Sequence, residues 1–491
     1  MDDGLKDKTA KGISWGFVDN IANTGVLAII NIILANILSP YEFGIIGLTS
    51  IFITIAQTLV DSGFTGAITR KKSPTREDFN TVFYTNLFFS VVIYLILYLI
   101  APLVSSYYDI PELCSIIRVL SLSVIIGAFS IIQKAVLIIR VDFRKQAIVS
   151  ILSSVPAGII SIILALNGFG VWSLVALQIL RILFMTIFIT VFTHWIPSLV
   201  FSLKSFREMF SFGSRIMATA IINVISTEIF SLVIGKTNGT STVGLYNRAD
   251  KFKGLVTLNI GLVIQRVSYP VLASISDERE RQKRAYRKIL RTTALITFTS
   301  LAGLFAISEP FILVLVGKEW AGSILYLRIL SLSAIAVPIQ ICCGNIINAN
   351  GRSDYTLRLE TYRTFLTIIP IAVCIFLGIV PMLYSLIFTS AITFTLNLYY
   401  VGRVMDYPPM SQIKDILPFL FFAILMCIPV YLLSYLPFLS LFVLVIQLVF
   451  GVALTILFYE IFYRCEEYVD IRDEIVSILR KIKGTNVLRK S

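Results

Sequence analysis

Long apolar stretches separated by short polar connections set the pattern of this chain. A helix of about 20 apolar residues spans a bilayer, and fourteen such segments can be placed: near 15–38, 45–60, 81–104, 113–139, 147–166, 171–192, 214–234, 243–274, 290–315, 324–348, 357–377, 380–402, 416–436 and 439–463. The second is short and is expected to extend into its flanks. The pattern predicts an all-α polytopic membrane protein with about 14 transmembrane helices.

The connections alternate in charge. Even-numbered connections and the two termini, with the adjoining segment ends at Arg291, Arg358 and Arg363, hold 31 of the 42 Lys and Arg residues, whereas the odd-numbered connections hold Lys236 and Lys318 alone. By the positive-inside rule both termini face the cytoplasm. Trp15, Trp172, Trp195 and Trp320 all fall at segment ends, the position of an interfacial aromatic belt. The outward connections, such as Ser39–Gly44 and Asn167–Gly170, are too short to form a domain outside the membrane. After Tyr463 the tail places Ile471, Ile475, Ile478, Leu479 and Ile482 at helical spacing, followed by Arg480, Lys481 and Lys483. It reads as an amphipathic helix on the inner leaflet, a peripheral anchor.

Composition narrows the class further. The 491 residues are 57% hydrophobic and 14% charged, with a mean hydropathy of +0.86. A soluble domain is about a quarter charged, so a folded aqueous protein is excluded. The excess of 42 basic over 29 acidic residues matches loops facing anionic lipid, not nucleic acid. His194 is the single histidine, and the six cysteines lack C-x-x-C spacing, which leaves no basis for a metal or haem site or a disulfide framework. Gly317-Lys318 is followed by Glu319, and no phosphate loop occurs elsewhere, so neither that nucleotide chemistry nor any cofactor is expected. The first apolar segment is too long for a signal peptide and lacks a small-residue cleavage site, so it is expected to be retained.

The chain also repeats itself. Arg118-Val-Leu-Ser-Leu-Ser-Val-Ile125 in the fourth segment matches Arg328-Ile-Leu-Ser-Leu-Ser-Ala-Ile335 in the tenth at six of eight positions, 210 residues apart. Ser14/Ser214, Ile21/Ile221, Asn23/Asn223, Ile29/Ile229 and Gly44/Gly244 pair the first and seventh segments at an offset of 200. Ala101-Pro102 against Glu309-Pro310, and Trp172-Ser-Leu174 against Tyr384-Ser-Leu386, keep the order. Six segments separate the copies, so they share one orientation and form two parallel six-helix repeats, expected to enclose a central cavity and to rock against each other. This gives an N-lobe at 1–205, a C-lobe at 206–405, two extra helices in 406–463 and a cytoplasmic tail at 464–491. The extra pair has no charge from Ile416 to Tyr459 and is expected to face lipid, away from the pathway.

Ionisable residues inside spans are costly and therefore functional candidates. At 100° per residue, Arg248, Asn259 and Arg266 lie within about 20° of one another in the eighth segment, with Lys251 about 60° away. They form a cationic stripe, although Arg248, Lys251 and Arg266 also lie within reach of the headgroups by snorkelling. Asp250 and Lys253 point elsewhere and suit an interfacial or paired role. Arg215, Thr219, Asn223, Ser226 and Thr227 share a face of the seventh segment, and Asp19, Asn20, Asn23, Thr24 and Asn31 share one of the first. Both faces suit a hydrated cavity or interhelical hydrogen bonds. Asp19 and Glu228 are the carboxylates placed to couple an ion, and Glu228 equally suits a basic partner. Arg181 lies mid-span in the sixth segment and Lys134 deep in the fourth. Arg118 and Arg328 suit structural roles. Pro156, Pro310, Pro338, Pro370 and Pro429 mark bends.

Leu38-Ser-Pro-Tyr-Glu-Phe-Gly44 and Val243-Gly-Leu-Tyr-Asn-Arg-Ala249 resemble signatures of the polysaccharide transporter family in the multidrug/oligosaccharidyl-lipid/polysaccharide exporter superfamily. Arg140-Val-Asp-Phe-Arg144 and Gly317-Lys-Glu-Trp320 are similar to its lipopolysaccharide-biosynthesis branch. The resemblance implies a bacterial inner-membrane flippase of the Wzx type. Such a protein moves undecaprenyl-diphosphate-linked oligosaccharides for O-antigen, capsule or exopolysaccharide synthesis by alternating access. It also implies membrane lipids, a polysaccharide polymerase and a chain-length regulator as partners. The substrate set expected from this reading is Arg248, Lys251, Asn259, Arg266, Arg215, Asn223, Asn23 and Arg181, whose cations would offset the diphosphate's desolvation. Related lipid II flippases carry arginines in their first two helices, where this chain has Asp19, which argues against a peptidoglycan precursor. A cation-coupled multidrug exporter is the alternative of the same fold, and a membrane glycosyltransferase or polymerase the enzymatic one. The first would favour acidic cavity residues, and the second needs a loop with catalytic carboxylates that the sequence lacks.

Overall fold

The structure, a computed structural model, describes residues 24–474 and Ser477 apart from 72, 141 and 462, without the side chains of 61–63, 70, 212 and 215. Its helices are α1 (Thr24–Ala35), α2 (Pro40–Arg70), α3 (Arg76–Tyr108), α4 (Pro111–Ala128), α5 (Ile131–Ile139), α6 (Phe143–Leu166), α7 (Val171–Thr193) and α8 (Leu203–Asn238). There follow α9 (Thr240–Ser274), α10 (Arg279–Leu315), α11 (Gly322–Ser333), α12 (Val337–Ala349), α13 (Ser353–Leu377), α14 (Ile379–Met405), α15 (Pro409–Leu432) and α16 (Ser440–Ile461). Among the described residues there is no strand, and 13 helices are long and apolar enough to cross a membrane, with α1 a shorter apolar one. Over their described residues the fourteen expected segments coincide with helix, the first only from Thr24 to Ala35. The second does extend into its flanks, reaching 31 residues as α2.

Local chemistry fixes the helix starts. Ser39 and Glu42 close a capping box at α2, with the Ser39 amide donating to Glu42 Oε2 at 2.6 Å. Thr75 and Asp78 repeat the device at α3. In the Arg140–Arg144 turn, Asp142 accepts from the Lys145 amide at 3.2 Å and caps α6. Gly170 (φ 51°) and Gly378 (φ 88°) open α7 and α14 with backbone angles that favour glycine.

Two compact units divide the chain at Gly244/Leu245. In the first, Phe64, Ile68, Val82, Phe83, Ile132 and Met209 form one core cluster, and Ile30, Leu34, Ala157, Leu174 and Leu177 another. The α8 helix, which the sequence repeat counts with the second copy, packs along α2 and α3 of this unit; Tyr108 Oη donates to the Leu232 carbonyl at 3.1 Å. Duplication and packing thus divide the chain at different places. The second unit is built on α10, α12, α14 and α15, around Tyr286, Leu290, Cys342, Leu398 and Phe419.

The repeat is visible in contacts as well as in letters. Arg118 Nε donates to the carbonyl of Tyr98 (3.4 Å), and Arg328 Nε to Ser308 Oγ (3.0 Å), in both cases twenty residues back. Arg328 also pairs with Glu309 at 3.0 Å. The fourth and tenth segments are both broken, into α4/α5 and α11/α12. Pro338 in the first turn of α12 accounts for the second break, since proline removes an amide and clashes with the preceding turn. The first break has no proline; Ser130 Oγ donates to the Gly127 carbonyl there at 2.8 Å. Gly44 and Gly244 make a reciprocal contact. A Cβ on Gly44 would lie 1.9 Å from the carbonyl oxygen of Thr240, and one on Gly244 would lie 1.9 Å from that of Pro40. The starts of α2 and α9 therefore meet backbone to backbone.

Two expectations change. Trp320 is fully buried, unlike a belt tryptophan. The described start of the tail, a helix within 466–474, docks on protein: Tyr468 stacks on Tyr459 at 5.4 Å, and Glu467 pairs with Arg291 at 2.7 Å. Most of its proposed anchor lies outside the described residues.

Candidate functional site

In the first unit α2, α4, α5 and α7 surround a cavity of about 250 Å³. Its polar lining is Gln57, Ser123, Lys134 and Arg181, set among Val60, Val124, Ile131 and Met185. Arg181 is the eleventh of the 23 residues of α7, too far from either end to reach water easily. Lys134 is presented by α5, the short helix created by the break after Ala128. Among the described residues the lining has no carboxylate and neither cation is in an ion pair; the buried Ser123 hydroxyl also has no hydrogen-bond partner. Two half-buried cations in a low-dielectric site repel each other and cost several kcal/mol each in lost hydration. An anion entering between them relieves both terms.

The second unit holds two further cavities. One, also about 250 Å³, lies among α9, α12, α13 and α14 and is lined by amides and hydroxyls with the Glu360–Arg363 pair (2.7 Å). The other, about 410 Å³, is nearly all apolar and lies among α9, α10, α15 and α16, with Phe252, Leu304, Phe311, Met426 and Val452 on its walls. The two extra helices therefore line an apolar cavity besides exposing apolar residues such as Phe421, Phe442 and Val449.

The stripe on α9 divides. Lys251, Asn259 and Arg266 are exposed, and the Asn259 amide donates back to the Leu255 carbonyl at 2.6 Å. Arg248 is 5% exposed, its guanidinium 4.7 Å from the centre of the Trp320 ring and 5.9 Å from that of Phe252. This stack joins the Val243–Ala249 and Gly317–Trp320 motifs, with Ser323 Oγ donating to the Leu245 carbonyl at 2.9 Å beside it. Lys253 is ion-paired with Asp250. On α8, Asn223 is exposed, and Arg215 lies on the same helix with its side chain outside the described set. Glu228 accepts from Ser50 Oγ at 2.8 Å and is in no ion pair among the described residues. Asp19 and Asn23 lie outside the described residues. The structure thus joins Arg181 to Lys134, Gln57 and Ser123, a grouping the sequence does not reveal. The cations inside spans were the available signal; Gln57 and Ser123 carried none.

Thirteen described helices long and apolar enough to cross a bilayer define the class as multi-pass helical membrane proteins. The fold is similar to the solved structure of the lipid II flippase MurJ in its inward closed conformation, with a TM-score of 0.74 at 17% identity over 92% of this chain and 99% of that one. It is also similar to an inward-facing multidrug resistance MATE transporter of the MOP superfamily (TM-score 0.61, 16% identity, 80% and 99% covered). Residues 33–325, more than half of the chain, match the model of the family described as polysaccharide biosynthesis protein, and the chain belongs to that family. Curated relatives include the lipopolysaccharide biosynthesis protein WzxC of Escherichia coli (25% identity over 74% of each chain) and the succinoglycan biosynthesis transport protein ExoT of Rhizobium meliloti (27%, 66% of this chain and 65% of that one). A third is the teichuronic acid biosynthesis protein TuaB of Bacillus subtilis (24%, 70% and 71%).

Proposed function

We propose that this protein is a Wzx-type flippase. It moves undecaprenyl-diphosphate-linked oligosaccharide repeat units from the cytoplasmic to the outer face of a bacterial inner membrane, and both its termini face the cytoplasm. The cargo serves O-antigen, capsule or exopolysaccharide assembly, and a polymerase and chain-length regulator act on it afterwards. The protein itself transports and makes no covalent change.

The observation that carries this reading is that mid-span Arg181 and Lys134 of α5 line one cavity with no carboxylate partner among the described residues. A diphosphate cannot enter hydrocarbon uncompensated. A cation about 4 Å from a phosphate contributes about 4 kcal/mol at an effective dielectric constant near 20, the same order as the lost hydration. Lys251, Asn259 and Arg266, exposed on α9, and Arg215 and Asn223 on α8 are further polar groups proposed to meet the cargo. Arg248, held against Trp320, sets the start of α9. The apolar cavity among α9, α10, α15 and α16 suits the isoprenoid chain. Glu228, bonded to Ser50, and Asp19 are the groups proposed to couple an ion gradient. A multidrug exporter is disfavoured because organic cations would meet two positive charges in that first cavity.

Translocation of a fluorescent undecaprenyl-diphosphate saccharide in proteoliposomes tests the reading. Lys134→Met and Arg181→Met should each slow it at least about tenfold with protein levels unchanged, and Arg181→Lys should retain part of the rate. Wild-type rates in both Met variants would refute it.

A further inference from the structure

The two 250 Å³ cavities occupy repeat-equivalent places. The first lies among α2, α4, α5 and α7, of the second, fourth and sixth segments, and the second among α9, α12 and α14, of the corresponding eighth, tenth and twelfth segments, with α13 as an added wall. The offset of 210 that aligns Arg118 with Arg328 carries Gly127, Ile131 and Lys134 onto Val337, Ile341 and Gly344, and all six line their cavities. The offset of 212 that aligns Trp172 with Tyr384 carries Arg181 onto Thr393 and Met185 onto Asn397, again lining on both sides. One duplicated cavity has thus diverged. Where the first copy has its two cations, the second has no side chain and a hydroxyl.

What the second cavity offers is neutral hydrogen bonding. Gln265 and Gln340 have no internal hydrogen bond among the described residues. Asn397 Nδ2 is committed to the Thr393 carbonyl at 2.8 Å and Asn345 Nδ2 to Ser268, which leaves both amide oxygens as acceptors. Asn348 Oδ1 accepts from Thr356 at 2.8 Å, which leaves its amide nitrogen as a donor. The charges on this lining neutralise each other as the Glu360–Arg363 pair. Such a surface has little to gain from a diphosphate. Uncommitted amides that both donate and accept match hydroxyls, which do the same.

We infer that the cavity of the second unit is a glycan-recognition subsite, binding sugar hydroxyls of the lipid-linked cargo. The inference rests on the flippase reading.

Binding to the purified full-length protein in detergent tests it with two probes: undecaprenyl diphosphate alone, and a panel of undecaprenyl-diphosphate-linked oligosaccharides of different sugars. Wild type should bind at least one glycosylated carrier more tightly than the bare one. Gln265→Leu and Gln340→Leu remove no internal hydrogen bond, and their melting temperatures check folding. Each should reduce that preference about threefold to tenfold, the worth of a lost neutral hydrogen bond, with bare-carrier affinity unchanged. Lys134→Met should weaken both probes alike. An intact preference in both Leu variants, or equal loss of bare-carrier binding in them, would overturn the glycan subsite while leaving the flippase reading in place. Wild-type protein that binds neither probe would overturn the flippase reading and the subsite with it.

Discussion

Adding one methyl group at Gly44 tests the repeat at its tightest point. The new Cβ would lie 1.9 Å from the Thr240 carbonyl oxygen and 2.7 Å from its carbon, and both are backbone atoms. Carbon–oxygen contacts settle near about 3.3 Å, so the starts of α2 and α9 must separate by about 1.4 Å. Overpacking of this kind costs about 1–3 kcal/mol, and more where no side chain can swing away. Gly244→Ala meets the Pro40 carbonyl at the same 1.9 Å and should cost a similar amount. One separation relieves both clashes, so the double variant should lose less than the sum, with a coupling of about 0.5–3 kcal/mol. Gly25→Ala is the control, because a Cβ there has nothing within 4 Å among the described residues; alanine should hold or slightly raise helix stability. Thermal melts of detergent-purified protein, with the yield of folded protein from membranes, give the comparison. Wild-type melting in both single variants, or strictly additive losses in the double, would refute the reciprocal contact.

Trp320→Ala removes a fully buried ring and the cation–π partner of Arg248. It should destabilise by about 3–5 kcal/mol, whereas Trp320→Phe, which keeps an aromatic face, should lose clearly less in the same melts. Glu228→Gln keeps a group that can accept from Ser50 but removes the charge. If Glu228 couples a gradient, the variant should abolish the acceleration of flipping by a proton or sodium gradient in liposomes while sparing the gradient-free rate; an unchanged response would make Glu228 structural. Engineered cysteines at Asn167 and Asn238 should react with an impermeant thiol reagent from outside intact cells, and one at Arg284 should not. Outside labelling at Arg284 would overturn the proposed orientation.

Hydropathy and loop charge are properties of consecutive residues, and transmembrane spans are set by the same local quantities. That is why fourteen segments, and the extension of the second into its flanks, could be read from the chain alone, although α8 and α10 begin about eleven residues before their expected starts. The duplication was legible for a similar reason, since Arg118-Val-Leu-Ser-Leu-Ser and Arg328-Ile-Leu-Ser-Leu-Ser preserve order without any knowledge of contact. Helical periodicity even placed Arg248, Lys251, Asn259 and Arg266 near one face. It could not tell which of them meets another helix. Arg248 finds Trp320, 72 residues away, and becomes a packed stack, while Lys251, Asn259 and Arg266 stay exposed. Arg181 looked like one cation among several until α5 and α2 brought Lys134 and Gln57 to it. The extra helices looked purely lipid-facing because an uncharged helix reads the same against lipid and against an apolar cavity. Sequence determined what each segment is, an apolar helix long enough to span a bilayer. Which segments touch, and hence where the cavities are and what lines them, was decided by side-chain packing between helices far apart in the chain, where the one-dimensional pattern carries no term for contact.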